Sequence, residues 1–205
     1  VTVRLVYVLD AYCGWSYGFA RTMAELTAAH PGLPVEVVSG GLFTGDRRRP
    51  IGQYEFIRDA NERITDLTGV SFGPGFERLL DEGSFVMDSE LAARGVAALR
   101  ALAPDRSVEL VGALQDAFYQ DGRSLSDPAT YRALAERTGL DPDLLVAAFE
   151  SPNAVAEAAA DFRFAAELGV QGFPTLLAVE DERVATLAVG HASTEEVTRR
   201  LAALR

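Results

Sequence analysis

The first forty residues change hydrophobic period twice, and that pattern limits the folds open to the chain more than any other feature. "VTVRLVYVL" has the β-branched, alternating character of a strand that is buried more fully toward its end. "SYGFARTMAELTAAH" then places Phe19, Met23, Leu26 and Thr27 at helical spacing, and the proline and glycine of "PGLP" stop the helix. "VEVVSGG" restores a short strand. Strand, helix, strand is a βαβ unit, whose right-handed crossover makes the two strands parallel.

The middle of the chain follows a different rule. From about Pro50 to Glu167 helical periodicity dominates, in "QYEFIRDANERITDLTG", "SELAARGVAALRALA", "SVELVGALQDAFYQDG", "DPATYRALAERTG" and "DPDLLVAAFES". Ser89, with Glu90 behind it, reads as a helix cap, as do Asp127 and Asp141, each ahead of a proline at the first helical position. "AVAEAAADFRFAAELG" is an alanine-rich helix. Strand character then returns in "PTLLAV" and "VATLAVG" across the charged turn "EDER", an antiparallel hairpin. "STEEVTRRLAALR" closes the chain as a helix capped by Ser193 or Thr194. A chain of 205 residues with 48% hydrophobic content can build one such domain carrying an insertion.

Thirty acidic against nineteen basic residues leave a net charge of -11, which disfavours a nucleic-acid partner. The basic residues are all arginine, and the one cluster, "RRR" at 47–49, reads as a solvated loop. No run approaches the roughly 20 apolar residues that cross a bilayer, so no membrane partner is expected. The reading favours the cytoplasm over export, with export left open by a start without methionine.

The chemistry centres on "LDAYCGWSYGFA". Cys13 is the only cysteine, so it forms no internal disulfide, and with His30 and His191 far apart in sequence it makes no zinc site. It stands where strand gives way to helix. A thiolate there faces free backbone N–H groups and the positive end of the helix dipole, which predicts ionisation near neutral pH. Ser16 lies in the same turn and can donate a hydrogen bond to the sulfur. It cannot displace a mixed disulfide, because an oxygen nucleophile does not exchange with sulfur. The competing reading of Cys13 is a buried, inert thiol. Tyr12 and Trp15 flank it as substrate contacts or as core packing. His30 reads as surface and His191 as a loop residue.

The element order resembles the thioredoxin fold, and a helical insertion between its halves resembles the DsbA-type branch. Three segments carry the likeness: "AYCGWS" in the slot of the C-x-x-C motif, "GVQGFPTLL" in that of the loop holding a cis-proline, and "SGGLFTG", similar to the Gly-Gly-Leu segment of FrnE-type, disulfide-isomerase-like relatives. The resemblance implies an α/β, thioredoxin-like fold, with residues 1–45 and 168–205 forming the thioredoxin-like domain and 46–167 an inserted helical domain. It implies a thiol–disulfide oxidoreductase or isomerase, with Cys13 and Ser16 catalytic and Trp15, Tyr12, Phe173 and Pro174 meeting the substrate. Asp10 is then a proton carrier or a helix cap. The partners implied are protein or peptide thiols and disulfides, with no resident cofactor and glutathione as a candidate thiol co-substrate. Disulfide oxidases of the family carry a second cysteine where this chain has Ser16, so the implied activity is monothiol exchange. Two alternatives stand beside it: a glutathione-dependent transferase or isomerase of kappa-like architecture, which uses serine at the position of Cys13, and a redox-inactive binding module.

Overall fold

The computed structural model describes residues 3–181 and 183–204. Val1 and Thr2 of the first predicted strand, Glu182 of the charged turn and Arg205 of the closing helix lie outside them. The first strand, β1 (Arg4–Leu9), leads into helix α1 (Gly14–Ala29) and strand β2 (Val35–Ser39). The expected βαβ unit is present, with β1 and β2 parallel from Leu5 opposite Val35 to Leu9 opposite Ser39. After the helical region come β3 (Thr175–Glu180), β4 (Arg183–Val189) and a last helix, which is numbered below. The four strands form one sheet in the order β2-β1-β3-β4, with β3 antiparallel to both β1 and β4.

Strand β1 is central, which explains its apolar run: Leu5 through Leu9 are all buried, on both faces of the sheet. Leu5, Tyr7 and Leu9 join Phe19, Met23 and Leu26 of α1 in the larger core. Val6 and Val8 face the other way, with Val38, Leu177 and Val179.

Between the two halves lie α2 (Ile57–Thr68), α3 (Pro74–Glu82), α4 (Ser89–Leu102), α5 (Ser107–Tyr119), α6 (Pro128–Thr138), α7 (Pro142–Phe149) and α8 (Pro152–Glu167). Helix α3 is not among the segments read as helical in the sequence. Its start, Gly73-Pro74-Gly75, has the composition of a turn, although Pro74 at the first helical position and Gly83, with φ of 68°, at its end are ordinary boundary signals. Helix α8 packs Ala165 and Phe164 onto the Val6 and Val8 face. It therefore serves the sheet as well as the helical block, although it falls within 46–167.

The caps refine the sequence reading at one place. Asp127 and Asp141 cap α6 and α7 as expected, their carboxylates accepting from Ala129 N and from Asp143 N and Leu144 N. At α4 the cap is Asp88, whose carboxylate accepts from Glu90 N and Leu91 N, and not Ser89. The Ser89 hydroxyl is used elsewhere, accepting from Phe43 N at 2.9 Å. Of the two alternatives for the closing helix, α9 (Thr194–Ala202), Ser193 is the cap.

Candidate active site at the start of helix α1

Cys13 is the N-cap residue of α1, and its carbonyl accepts the first helical bond from Tyr17 N at 3.0 Å. Its own N–H is taken by Asp10 O in the turn that leaves β1. The sulfur is buried and faces the loop before β3, where its thiol donates to the Phe173 carbonyl at 3.5 Å. The Phe173–Pro174 bond is cis, and the contact at Phe173 joins Cys13 to a residue 160 positions later.

The glycine pair of "SGGLFTG" has a physical reason at this junction. A Cβ on Gly40 would fall 2.0 Å from the Phe173 ring, so only glycine leaves room for that ring beside β2. Gly41 follows with φ of 76°, a conformation other residues adopt at a cost. The turn it makes presents Leu42 N to Asp10.

Asp10 is 3% exposed and does not cap α1. Its carboxylate accepts from Tyr12 N at 2.9 Å and from Leu42 N at 2.7 Å, tying the Cys13 turn to the loop after β2. Burial pushes its pKa above the ordinary carboxylate range, against the lowering effect of these bonds. Ser16 is fully buried, and its hydroxyl oxygen accepts from Asp10 N at 3.4 Å.

The expectation of a thiolate near neutral pH does not hold for this arrangement. Burial pushes the Cys13 thiol up to about 11, chiefly through loss of hydration. The Ser16 N–H and hydroxyl pull it down, the Asp10 charge pushes it up again, and the Trp15 N–H offers a smaller pull. The Phe173 carbonyl fits the same picture, because it accepts from a thiol and would repel a thiolate. The helix-end donors are present, but the closed surroundings outweigh them.

A cavity of about 720 Å³ opens beside the sulfur, between α1, the 42–54 segment and α2. Trp15 is half-buried on its wall, and Phe173 also borders it. Tyr12 contributes a wall while belonging to the core: it is 2% exposed, meets Phe118 edge-on, and its hydroxyl accepts from Leu125 N. Pro174 supplies the cis bond and is not among the lining residues. Much of the lining carries no motif and escaped sequence reasoning, including Asn61 and Arg63 on α2 and Tyr119 at the end of α5. The arginine cluster is solvent-exposed, as read, yet divided in its contacts. Arg48 pairs with Asp88, Arg49 lies over the Tyr54 ring, and Arg47 borders the cavity. His191 is exposed and His30 half-buried at the end of α1, and neither is a lining residue of this cavity.

No helix among the described residues is long and apolar enough to cross a membrane. No curated protein matches the chain. Among solved structures, a candidate protein disulfide isomerase from Nitrosomonas europaea is 26% identical with a TM-score of 0.87, covering 99% of this chain and 97% of that one. The cytosolic disulfide reductase DsbM from Pseudomonas aeruginosa is 28% identical with a TM-score of 0.83, covering 98% of both chains. The same protein with GSH overlays with a TM-score of 0.81 at 27% identity, covering 98% of this chain and 99% of that one. The pattern of the DSBA-like thioredoxin domain matches residues 4–202, which takes in both halves of the sheet and every helix between them. With a four-stranded mixed sheet, a helical insertion and a cysteine at the start of α1, this chain belongs to the DSBA-like thioredoxin domain family of thiol–disulfide oxidoreductases.

Proposed function

We propose that Cys13 acts alone as the nucleophile of a thiol–disulfide exchange, passing through a mixed disulfide with a peptide or protein thiol or with glutathione. The observation that carries this reading is the meeting of Cys13 Sγ with the Phe173 carbonyl, ahead of the cis-proline and at the mouth of a cavity. In the exchange, the Cys13 thiolate attacks one sulfur of a disulfide and the other departs as a thiolate, which takes up the proton that Cys13 gave up. No net oxidation of the pair of molecules occurs. Release then requires a second thiol, because Ser16 is buried, bonded to Asp10 N and chemically unable to resolve the intermediate.

Trp15 and Tyr12 form the wall against which a partner rests, and Phe173 offers backbone to a partner strand. Burial disfavours the thiolate in the unliganded site; a partner that displaces the Phe173 carbonyl from the sulfur removes one obstacle to ionisation. Glutathione is proposed because the cavity is large enough for a tripeptide and because the related DsbM is solved with GSH. A cytosolic setting is proposed on the same relation.

Mass spectrometry after exposure to oxidised glutathione tests the reading. The natural chain should gain one glutathione at Cys13 and hold it until free thiol is added. Ser16→Cys should instead lose two hydrogens, because C-x-x-C across the first helical turn places the sulfurs within bonding range. A natural chain that gains nothing between pH 7 and pH 11 would leave the redox-inactive module. The cavity also suits the transferase reading, which predicts a thioether product from glutathione and an electrophile and no disulfide.

A further inference from the structure

We infer that Asn61 selects the partner of Cys13, its side-chain amide anchoring a carboxylate or peptide oxygen of a short anionic peptide thiol of the glutathione class. This rests on the mixed-disulfide reading above and adds the group that holds the rest of the partner.

Helix α2 closes one side of the cavity, and its sequence is polar on the outside: Arg58, Asp59, Glu62 and Arg63 are exposed. Only Asn61 and Ile64 are buried in this helix, and both line the cavity. Ile64 accounts for itself as apolar packing. Asn61 does not, since it is 8% exposed and its amide nitrogen has no hydrogen-bond partner. An unpaired buried amide destabilises a fold by about 1–3 kcal/mol, so an apolar residue would serve better if packing were the whole task.

The amide stands at the start of α1. A Cβ on Gly14, the residue after Cys13, would lie 3.5 Å from Asn61 Oδ1. A half-turn of the terminal torsion exchanges the amide's oxygen and nitrogen, so the side chain can offer a donor or an acceptor to a group beside the sulfur.

The charges around the same cavity indicate what kind of partner fits. Arg47 and Arg63 border it with Asp59 as the one acid, and the remaining wall is largely apolar. Arg48 and Arg58, their neighbours, are tied to acids, whereas Arg47 and Arg63 make no ion pair among the described residues. Two free cations and one carboxylate suit a ligand with two carboxylates and one ammonium, which is the charge pattern of glutathione. A protein strand docking through its backbone alone would have no use for them.

The test compares two disulfides, oxidised glutathione and the uncharged bis(2-hydroxyethyl) disulfide, by the rate at which each modifies Cys13. In both reactions a Cys13–S–S bond forms, the reagent's S–S bond breaks, and the departing thiolate carries away the proton. Asn61→Leu, which keeps the branched skeleton and removes the donor, should slow the glutathione reaction roughly tenfold, the loss of one hydrogen bond to a charged acceptor. Its rate with the uncharged disulfide should stay within about twofold. Asn61→Asp, nearly identical in shape, should slow glutathione further by facing its carboxylates with another, and it supplies the comparison if the leucine variant does not fold. An unchanged glutathione rate, or equal loss toward both reagents in folded protein, would overturn the role of Asn61 and leave the mixed-disulfide reading standing. A natural chain that reacts with neither reagent overturns both.

Discussion

Cys13 carries two opposing signals, and the balance between them is a matter of surroundings. Its place at the head of α1 was legible in the sequence, because the change from strand to helix period falls at that residue. Its ionisation was not. The group that accepts its S–H hydrogen bond is the Phe173 carbonyl, 160 residues away, and the enclosing walls come from α2 and Tyr119, which no local pattern assigns to it. Asn61 was hidden for a related reason, since one more polar residue in "RDANER" gives no sign of facing inward. The physical consequence is a pH profile. Only the thiolate is alkylated, so iodoacetamide should modify unliganded Cys13 more slowly at pH 7 than it modifies a model peptide. The rate should rise about tenfold per pH unit toward a midpoint of about 11, whereas an ordinary cysteine has its midpoint at about 8.5. Asp10→Asn should move that midpoint down, because the Asp10 charge raises it. A plateau already reached at pH 8 would show that the helix end outweighs burial after all.

At the scale of elements, the chain was read most faithfully where one residue type does one local task. Asp127 and Asp141 announce α6 and α7 because a carboxylate ahead of proline has few other uses. Ser89 misled because its hydroxyl answers a long-range need, the N–H of Phe43, while Asp88 takes the local one. The Gly-Gly segment after β2 joins the local and the distant. Its first residue is empty of side chain to admit the Phe173 ring, and its second makes the turn that delivers Leu42 N to Asp10. Gly40→Ala should therefore force the ring away, at about 1–3 kcal/mol of overpacking, and carry the Phe173 carbonyl off the sulfur. Equilibrium denaturation would measure the first effect and the alkylation rate of Cys13 at pH 8 the second. A variant as stable as the parent and equally slow to alkylate would mean that the ring is free to move and does not position the loop.

The whole molecule faces a problem that its sequence order creates: β2 is an edge strand of the sheet, and an open edge invites unwanted pairing. The helical block covers it. Arg100 of α4 donates to the Val37 carbonyl, and Asp161 of α8 accepts from Ser39 N at 2.9 Å, so two groups of the edge are occupied by side chains. The same two side chains meet each other at 2.8 Å, with Asp161 only 9% and Arg100 18% exposed. Burial pushes the Asp161 pKa upward and the Arg100 charge draws it back, so the guanidinium is what helps this carboxylate keep its charge there. Asp161→Ala would leave the Arg100 guanidinium with only the exposed Glu157 carboxylate, 3.6 Å away, and the Val37 carbonyl, and would leave the buried Ser39 N–H without its acceptor. The expected loss is about 1–3 kcal/mol in urea denaturation, the cost of a buried donor left without its acceptor. Arg100→Met with Asp161→Leu should lose less than Asp161→Ala alone, because no part-buried guanidinium remains to be satisfied and the apolar side chains can pack against Phe164. Equal losses in the two proteins would mean that the bond to Ser39 N, and not the ion pair, is what fastens the insertion to the sheet.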